Sequence, residues 1–494
     1  MQTIDGTSLN PLAVTQVAKG APFEIPAAAI GRVHAGAEAL SLLIASGEPI
    51  YGVTTGVGAL DRYPLEVEAR RAFQLSLVRS HAASVGDEMS PVEARAMMVA
   101  RLNVLVQGHS AAQFGTVQLM ADCLRLGVTP CVPRLGSTGA SGDLAPLAHL
   151  ACMLVGEGSA WLSGRRLPAA QALRDVGLAP VLLDGRDGLA LINGCDQATG
   201  AGSLYLQDAV HLADVADLVG AASAEALFAF SSAFGEELHA LKSHPGQVSA
   251  AQHIRALLTG SSAIDGRPGL RDILSVRSMP QVHGALRDAL ETAELWLTRE
   301  LNSANDNPLI WWDPPRVVSN GSHFHGQHAG MALDLIATAV IPVAVMSDRR
   351  LSHMMDEQRT GLTPFLAPEP GRTSGLMIPQ YTTAALVAHL RAQGTPGAIQ
   401  SVPTSKDTED HNAMTSVSLE RLRTVLDHSW QVLAVEALSA TQALEARGEP
   451  VGEGAARLRA LVRTVSPPLA DDRSLSREMM ALKELLRTAS AADA

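Results

Sequence analysis

The tripeptide Ala140, Ser141 and Gly142 could turn its own backbone into an electrophile. If the Gly142 amide nitrogen attacks the Ala140 carbonyl and Ser141 loses its hydroxyl, the product is a methylidene-imidazolone ring. Ordinary side chains supply no electron sink of this kind, so such chemistry normally uses a cofactor. Ring closure brings two peptide units into contact, which explains a glycine at the attacking nitrogen. The alternative interpretation is a phosphate-binding glycine loop, but no Lys-Ser or Lys-Thr pair follows these glycines.

Helical signals dominate the elements that must position this loop. Ser90 and Glu93 form a capping-box sequence with Pro91 at the first helical position. Leucines at helical spacing from Leu286 to Leu301 predict a long apolar stripe, as in a helix bundle. Between the predicted helices lie loops rich in glycine or asparagine, where functional residues are usually found: residues 51–58, 136–142, 193–195, 302–308, 319–326 and 404–411.

The composition favours a large helical protein with a small-molecule partner. The chain has 494 residues, of which 47% are hydrophobic and only 3% aromatic, and this favours packed helices over sheets. We predict an all-α fold, a bundle of long helices with a loop-rich N-terminal region. A soft boundary near residue 200 suggests a first domain over residues 1–200 and a second over residues 201–494. The net charge of -12 repels nucleic acid and anionic membranes.

The chain shows no signal for export or for a membrane. Residues 1–20 lack the basic start and apolar run of a signal peptide. The longest apolar stretch, residues 335–346, is too short to span a bilayer and is expected to be a buried core helix. Four scattered cysteines do not suggest a disulfide framework: Cys123, Cys131, Cys152 and Cys195. We expect a cytoplasmic protein.

Taken together, the loop motifs resemble those of the histidine and aromatic amino acid ammonia-lyases and aminomutases, and the histidine enzymes most. The matching segments follow the family's order: YGVTTG at 51–56, SHA at 80–82, GSTGASGDLAP at 136–146, GLALING at 188–194, DNPL at 306–309, FH at 324–325 and EDH at 409–411. The resemblance implies the long-helix fold of the ammonia-lyases and a methylidene-imidazolone formed autocatalytically from Ala140, Ser141 and Gly142, without an external cofactor. It also implies a homotetramer whose active sites are shared between subunits.

The resemblance assigns roles to four further residues. In such enzymes the substrate amine adds to the methylidene carbon, which makes nitrogen a better leaving group, and a base removes the β-proton. By resemblance Tyr51 is the base, and its pKa, ordinarily about 10, must be lowered by positive charge or hydrogen-bond donors. Arg277 binds the substrate carboxylate, Asn193 helps to hold the same end of the substrate, and Phe324 shields the electrophile. The alternatives without a catalytic or binding role are a packed loop tyrosine for Tyr51 and a surface salt bridge for Arg277. For Asn193 the alternative is a turn residue, and for Phe324 it is core packing.

Three residues indicate a polar substrate side chain. In the family, the positions of Ser80 and His81 face this side chain, and Ser followed by His is typical of the histidine enzymes. Glu409 resembles a carboxylate that would bind an imidazole or accept a proton from it. L-histidine, converted to urocanate, is therefore the leading substrate. A satisfied core histidine and a solvated glutamate at a helix end are the corresponding ordinary alternatives.

Five positions depart from the family pattern. Leu274 stands where a second active-site tyrosine is usual, and Arg271 stands where a glutamine is usual. Cys195 stands in place of the usual Thr, Asp196 in place of the usual Gln or Ser, and Thr408 in place of the usual Gln. These changes leave open a lyase for another polar or aromatic amino acid, or an α,β-aminomutase. A catalytically silent helical scaffold is the alternative of a different class, and it predicts a chain that has not lost two waters.

A histidine cluster invites a metal interpretation. His323, His325 and His328 are close enough in sequence for imidazoles to converge on zinc. No helical His-Glu-His motif accompanies them, and Phe324 inside the cluster already has a role in the family pattern. We therefore predict no metal site.

Overall fold

A computed structural model describes residues 1–489 of the chain, and these are mostly helical, as the all-α prediction requires. The α-helices in chain order are α1 Pro11–Ala18, α2 Ala27–Ala45, α3 Arg70–His81, α4 Pro91–Leu105, α5 Phe114–Leu126, α6 Leu144–Leu154, α7 Ala169–Asp175, α8 Asp187–Ile192, α9 Asp196–Ala226, α10 Glu236–Ala240, α11 Pro245–Leu257, α12 Leu274–Arg277, α13 Met279–Leu301, α14 Gln327–Met354, α15 Glu357–Thr360, α16 Met377–Ala392, α17 Thr415–Arg447, α18 Glu453–Val465 and α19 Ser476–Thr488. The predicted apolar stripe ending at Leu301 lies on α13.

The strands are short and belong to the loops between helices. They are β1 Gln2–Thr3, β2 Phe23–Glu24, β3 Val85–Glu88, β4 Thr129–Pro130, β5 Pro133–Leu135, β6 Ser159–Leu162, β7 Arg165–Pro168, β8 Leu309–Trp312 and β9 Pro315–Val318. Strands β1 and β2 pair in parallel, whereas β3 with β5, β4 with β6 and β7, and β8 with β9 pair antiparallel. In the first antiparallel pair, Val85 lies opposite Leu135, just before the loop that carries the tripeptide.

The predicted capping box starts α4. The Ser90 hydroxyl accepts from the Glu93 amide at 3.3 Å, and the Glu93 carboxylate accepts from the Ser90 amide at 2.6 Å. Burial alone would raise the pKa of Glu93, but hydrogen bonds from Arg134 and Tyr205 lower it. A charged carboxylate is thus retained at the positive end of a helix that is buried over most of its length.

Contacts divide the chain into two compact units. The first contains Met1–Gln207, Ala293–Asp334 and Pro396–Glu420, and the second contains Asp208–Thr292, Leu335–Thr395 and Arg421–Ala494. The first stretch ends close to the predicted boundary near residue 200, and the chain then alternates between the units. Helices α9, α13, α14 and α17 each contribute residues to both units.

An apolar cluster in the first unit anchors the loop that carries Tyr51. Ile50 and Val53 flank Tyr51 and are almost completely buried. They belong to a cluster with Ala39, Leu40, Leu43, Ala111 and Ile310, against which Trp312 also packs. Because both sides of the tyrosine are fixed in packed core, the start of the loop is rigid.

Two helices are long and apolar enough to cross a membrane by length and composition, α2 and α14. In α14, 56% of the most apolar stretch is buried, which fits the predicted core helix over residues 335–346. Near the start of α14, the Asp334 carboxylate accepts hydrogen bonds from the Gly397 and Ala398 amides at 3.0 and 2.8 Å.

Candidate active site

A cavity of about 910 Å³ in the first unit brings together most of the predicted site residues. Its lining includes Tyr51, His81, Ser141, Asn193, Phe324 and Glu409. A volume of this size suits a small molecule, and the mixed lining offers a few polar groups that could orient it. Of the remaining predicted residues, Ala140 and Gly142 flank Ser141, whereas Ser80 and Arg277 do not line the cavity.

The tripeptide is folded back on itself and pressed against a second loop. Backbone bridges pair Ala140 with Gly142 and Gly142 with Gly194. Gly142 has a φ of +72°, and a Cβ on it would lie 2.2 Å from the Gly194 carbonyl oxygen. The same oxygen accepts a hydrogen bond from the Asp143 amide at 2.6 Å. Only glycine fits at position 142, because both the backbone conformation and the neighbouring loop exclude a side chain.

Asp143 links the tripeptide to the start of α9 and of α17. Its carboxylate accepts from the Ala198 amide at 3.0 Å and from the Thr415 hydroxyl at 2.9 Å. Complete burial raises the pKa of Asp143 to about 6, although these hydrogen bonds oppose the shift. The carboxyl group is therefore a buried connector between three segments of the first unit.

Ser141 and Glu409 meet inside the cavity. The Ser141 hydroxyl donates to Glu409 Oε1 at 3.2 Å, and the Thr404 hydroxyl donates to Glu409 Oε2 at 2.7 Å. Ser405, Lys406 and Asp407 between them have φ values of 52°, 55° and 61°, so three consecutive side-chain-bearing residues adopt the left-handed conformation. Each such residue costs roughly 1–2 kcal/mol. The strained loop turns Glu409 towards the hydroxyl whose loss would create the electrophile.

Tyr51 is half-buried, and its phenol oxygen accepts a hydrogen bond from the Gly58 amide at 2.7 Å. Our expectation that its pKa is lowered is wrong for this chain. Burial raises the pKa of Tyr51, and the Glu409 and Asp61 carboxylates raise it further. The Gly58 amide and the Arg186 guanidinium act in the opposite direction but do not prevail.

Asn193 presents one free polar atom. Its amide nitrogen donates to Asp306 Oδ1 at 3.1 Å and to the Asn307 carbonyl at 2.7 Å, which fixes the orientation of the side chain. Its Oδ1 is buried and has no hydrogen-bond partner within residues 1–489. Since a buried unpaired carbonyl is costly, this atom is available to accept a hydrogen bond from a ligand.

His81 and Ser80 end helix α3. His81 Nδ1 lies 2.8 Å from the Leu77 carbonyl oxygen, which can only accept, so Nδ1 carries the proton. In the neutral ring, Nε2 is then an acceptor. Ser80 is exposed, donates to the same carbonyl at 3.0 Å and contacts His81 Nδ1 at 3.1 Å. Ser80 therefore supports the histidine ring instead of lining the cavity.

Phe324 lines the cavity from the histidine-rich segment. Neighbouring His325 stacks on His411, with 3.3 Å between Nε2 and Nδ1, and His328 packs edge-on against Trp296. Within residues 1–489, no group of three or more His, Cys, Asp or Glu side chains could hold a metal ion. These rings therefore make aromatic contacts with residues elsewhere in the first unit.

Sequence reasoning missed a buried charge network beneath the tripeptide. Arg101 and Arg186 are both completely buried, and they pair with the carboxylates of Asp196 and Asp306. Arg186 binds both Asp306 oxygens, at 2.8 and 2.5 Å, and Arg101 binds Asp196 at 2.8 Å. The available signal was Arg101 itself, a lone arginine in the apolar run of α4. Cys195 is also buried there and donates to Glu300 at 3.2 Å.

Arg277 lies in the second unit, on the short helix α12. Its Nε is buried without a hydrogen-bond partner within residues 1–489. In the same unit, Arg350 donates to the Ser275 carbonyl at 3.1 Å and holds this helix in place. Leu274 is 65% exposed, and Arg271 is also exposed. Of the five positions that depart from the family pattern, only Thr408 lines the cavity.

Comparison with known proteins gives consistent results. A family model described as aromatic amino acid lyase matches residues 9–466. A histidine ammonia-lyase of Sorangium cellulosum (strain So ce56) is 42% identical, and the alignment covers 95% of this chain and 94% of the relative. The histidine ammonia-lyase of Myxococcus xanthus (strain DK1622) is 40% identical, and the alignment covers 98% of this chain and 96% of the relative. Among solved structures, the tyrosine aminomutase of Streptomyces globisporus has a TM-score of 0.93 at 35% identity, and the match covers 98% of this chain and 96% of that structure. The histidine ammonia-lyase of Trypanosoma cruzi has a TM-score of 0.91 at 34% identity, and the match covers 99% of this chain and 94% of that structure.

Proposed function

Because the chain belongs to the aromatic amino acid lyase family, we propose that it eliminates ammonia from L-histidine to give urocanate. It is a carbon–nitrogen lyase. The observation that carries the proposal is the convergence of Ser141, Glu409 and Tyr51 on one cavity, where the Ser141 hydroxyl lies 3.2 Å from the Glu409 carboxylate.

The residues present fit the methylidene-imidazolone that the family uses. Ala140 and Gly142 are already paired through their backbones, and Gly142 lacks the Cβ that Gly194 would obstruct. The Ser141 hydroxyl, which would leave as water, lies against the Glu409 carboxyl group, whose protonated form could donate to the departing oxygen. When formed, the group supplies the electrophile that the side chains of the cavity lack.

Tyr51 is the proposed base for the substrate β-proton. Its Oη can take the proton only as a phenolate, and the Gly58 amide donates to that oxygen. The raised pKa means that phenolate is scarce at neutral pH, but a strong base is needed because the β-proton is barely acidic. Phe324 contributes an apolar surface that excludes water from the reacting atoms.

Two polar atoms can orient the substrate amine and side chain. Asn193 Oδ1, which has no hydrogen-bond partner among the described residues, can accept from the amine, and His81 Nε2 can accept an N–H from a polar side chain. Glu409 can hydrogen-bond an imidazole or exchange a proton with it. We assign the carboxylate to Arg277, because a guanidinium fork binds carboxylates in a bidentate manner.

A homotetramer and a cytoplasmic location complete the proposal. Arg277 does not line the cavity of its own chain, and in a tetramer with shared sites it would act on the cavity of another subunit. Light scattering on the purified protein measures this assembly. A mass of four chains supports the shared site, whereas a monomer that turns over substrate contradicts it.

An α,β-aminomutase is the second candidate, because a solved tyrosine aminomutase is similar over 98% of this chain. Product analysis separates the two. The protein is incubated with histidine, tyrosine, phenylalanine and other polar amino acids, and both the unsaturated acid and the β-amino acid are quantified by liquid chromatography with mass detection. Urocanate as the main product supports the lyase. A β-amino acid as the main product contradicts it.

A further inference from the structure

We propose that the buried Arg101–Asp196 ion pair positions the backbone for cyclisation of residues 140–142 by holding the Asn193–Gly194 loop against Gly142. The inference rests on the proposed function, because it concerns the formation of the electrophile. Closure joins the Gly142 nitrogen to the Ala140 carbon, and the carbonyl oxygen leaves as water with the amide hydrogens of Gly142 and Ser141. Ser141 then loses its hydroxyl and its α-hydrogen as a second water.

Arg101 and Gly142 both contact the Asn193–Gly194 loop. Arg101 Nη1 donates to the Asn193 carbonyl at 2.8 Å, and a Cβ on Gly194 would lie 2.2 Å from that nitrogen. The Gly194 carbonyl accepts a hydrogen bond at 2.6 Å from the amide of Asp143, the residue directly after Gly142. Displacement of the guanidinium would therefore remove one of the contacts that hold this loop, alongside those of the Asn193 amide with Asp306 and Asn307.

Asp196 is the dedicated partner of Arg101. Its Oδ2 lies 2.8 Å from Arg101 Nη1, and both side chains are at most 1% exposed. The other nearby carboxylate, Asp306, is 3.5 Å from Arg101 and is already bound by both guanidinium nitrogens of Arg186. Without Asp196, Arg101 would be a buried cation with only a shared counter-ion, so its position would change.

A fixed loop can accelerate cyclisation. Ring closure requires two backbone atoms of one flexible tripeptide to meet, and restricting the number of conformations raises the frequency of productive encounters. The Asp143–Gly194 bond and the Gly142–Gly194 bridge restrict one end of the tripeptide. The ion pair supports both interactions from beneath, and so acts through Gly194 instead of touching the reacting atoms.

The test follows ring formation by mass and does not depend on turnover. The full chain and its Asp196→Asn variant are made by cell-free translation, and intact mass spectrometry gives the fraction of chains that have lost two waters over time. We expect the variant to cyclise at least tenfold more slowly than the unaltered chain. The matched control is Glu436→Gln, which removes the carboxylate partner of Arg350 from an ion pair with both side chains 0% exposed in the second unit. This control should lose stability but cyclise at the rate of the unaltered chain.

A second variant tests the guanidinium. Arg101→Lys keeps the charge, but its side chain is shorter and lacks the planar guanidinium whose Nη1 contacts both the Asn193 carbonyl and Asp196, so it should also cyclise slowly while its melting temperature stays within the range of Glu436→Gln. Cyclisation of both variants at the unaltered rate overturns the inference, and so does failure of both to fold, because the pair would then serve stability alone. If the unaltered chain itself loses no water, the proposed function fails instead.

Discussion

Substituting Gly142 by alanine tests the close packing of the tripeptide against Gly194. The new Cβ would lie 2.2 Å from the Gly194 carbonyl oxygen and 2.3 Å from its carbon, and the residue must keep a φ of +72°. The left-handed conformation costs roughly 1–2 kcal/mol, and overpacking of a filled site adds about 1–3 kcal/mol. The chain is also expected to remain uncyclised, because the attacking nitrogen then belongs to a residue that cannot approach.

Gly127→Ala is the matched control. Gly127 has a φ of +76°, but a Cβ there meets nothing within 4 Å, so only the conformational cost applies. The difference between the variants isolates the overlap with Gly194, about 1–3 kcal/mol. For a chain of this length, 1 kcal/mol shifts the melting temperature by about 1 °C. Calorimetry and intact mass are measured on both. A Gly142→Ala protein that melts with the control and has lost two waters would refute the packing argument.

Three further substitutions test roles in the cavity, and a fourth tests the buried Asp143. Tyr51→Phe should retain the mass loss and reduce the rate about 100- to 10,000-fold; because the pKa of Tyr51 is raised, the unaltered rate should climb with pH across the neutral range, and a flat profile contradicts the role of base. Glu409→Gln keeps the size of the side chain but not its charge, so kcat should fall while Tm changes little; unchanged kcat would exclude proton transfer by Glu409. His81→Leu should lower kcat/KM for histidine by about tenfold or more and spare phenylalanine, and equal losses would show a structural role. In the folded chain the pKa of Asp143 is raised from 3.8 to about 6, so its contribution to stability is complete below pH 3.8 and is lost as pH rises through about 6. Asp143→Asn should therefore remove up to about 3 kcal/mol of the pH dependence of the unfolding free energy. Urea midpoints at acid and neutral pH measure this, and a variant whose stability changes with pH as much as that of the unaltered chain would contradict it.

The sequence predicted those parts of the site whose chemistry is local. Ala140, Ser141 and Gly142 are adjacent, so their possible chemistry can be derived from the sequence, whereas the role of Tyr51 came only from the resemblance to the family motifs. Glu409 could be placed with them only through the order of motifs along the chain. The structure joins Glu409 to Ser141 across 268 positions, a contact that no local pattern encodes.

The features that were missed arise from tertiary packing. The Arg101–Asp196 and Arg186–Asp306 pairs join residues 95 and 120 positions apart, so no local pattern indicates the pairing, although Arg101 stands out as an arginine in the apolar run of α4. The pKa of Tyr51 was predicted in the wrong direction, because burial and the Glu409 carboxylate depend on the folded cavity. Arg271 and Leu274 belong to the same segment as Arg277 and, like it, do not line the cavity of their own chain, so their place in the pocket stays a prediction that depends on the proposed shared site.

The most direct test of the central claim is the release of ammonia from L-histidine by the purified protein and by its Ser141→Ala variant. The Ser141 hydroxyl must leave to create the electrophile, and alanine keeps the loop but has no hydroxyl to lose. We predict that the unaltered protein releases ammonia and urocanate in equal amounts and that the variant releases neither. Equal ammonia release by both proteins, or none from an unaltered chain that has lost two waters, would contradict the account.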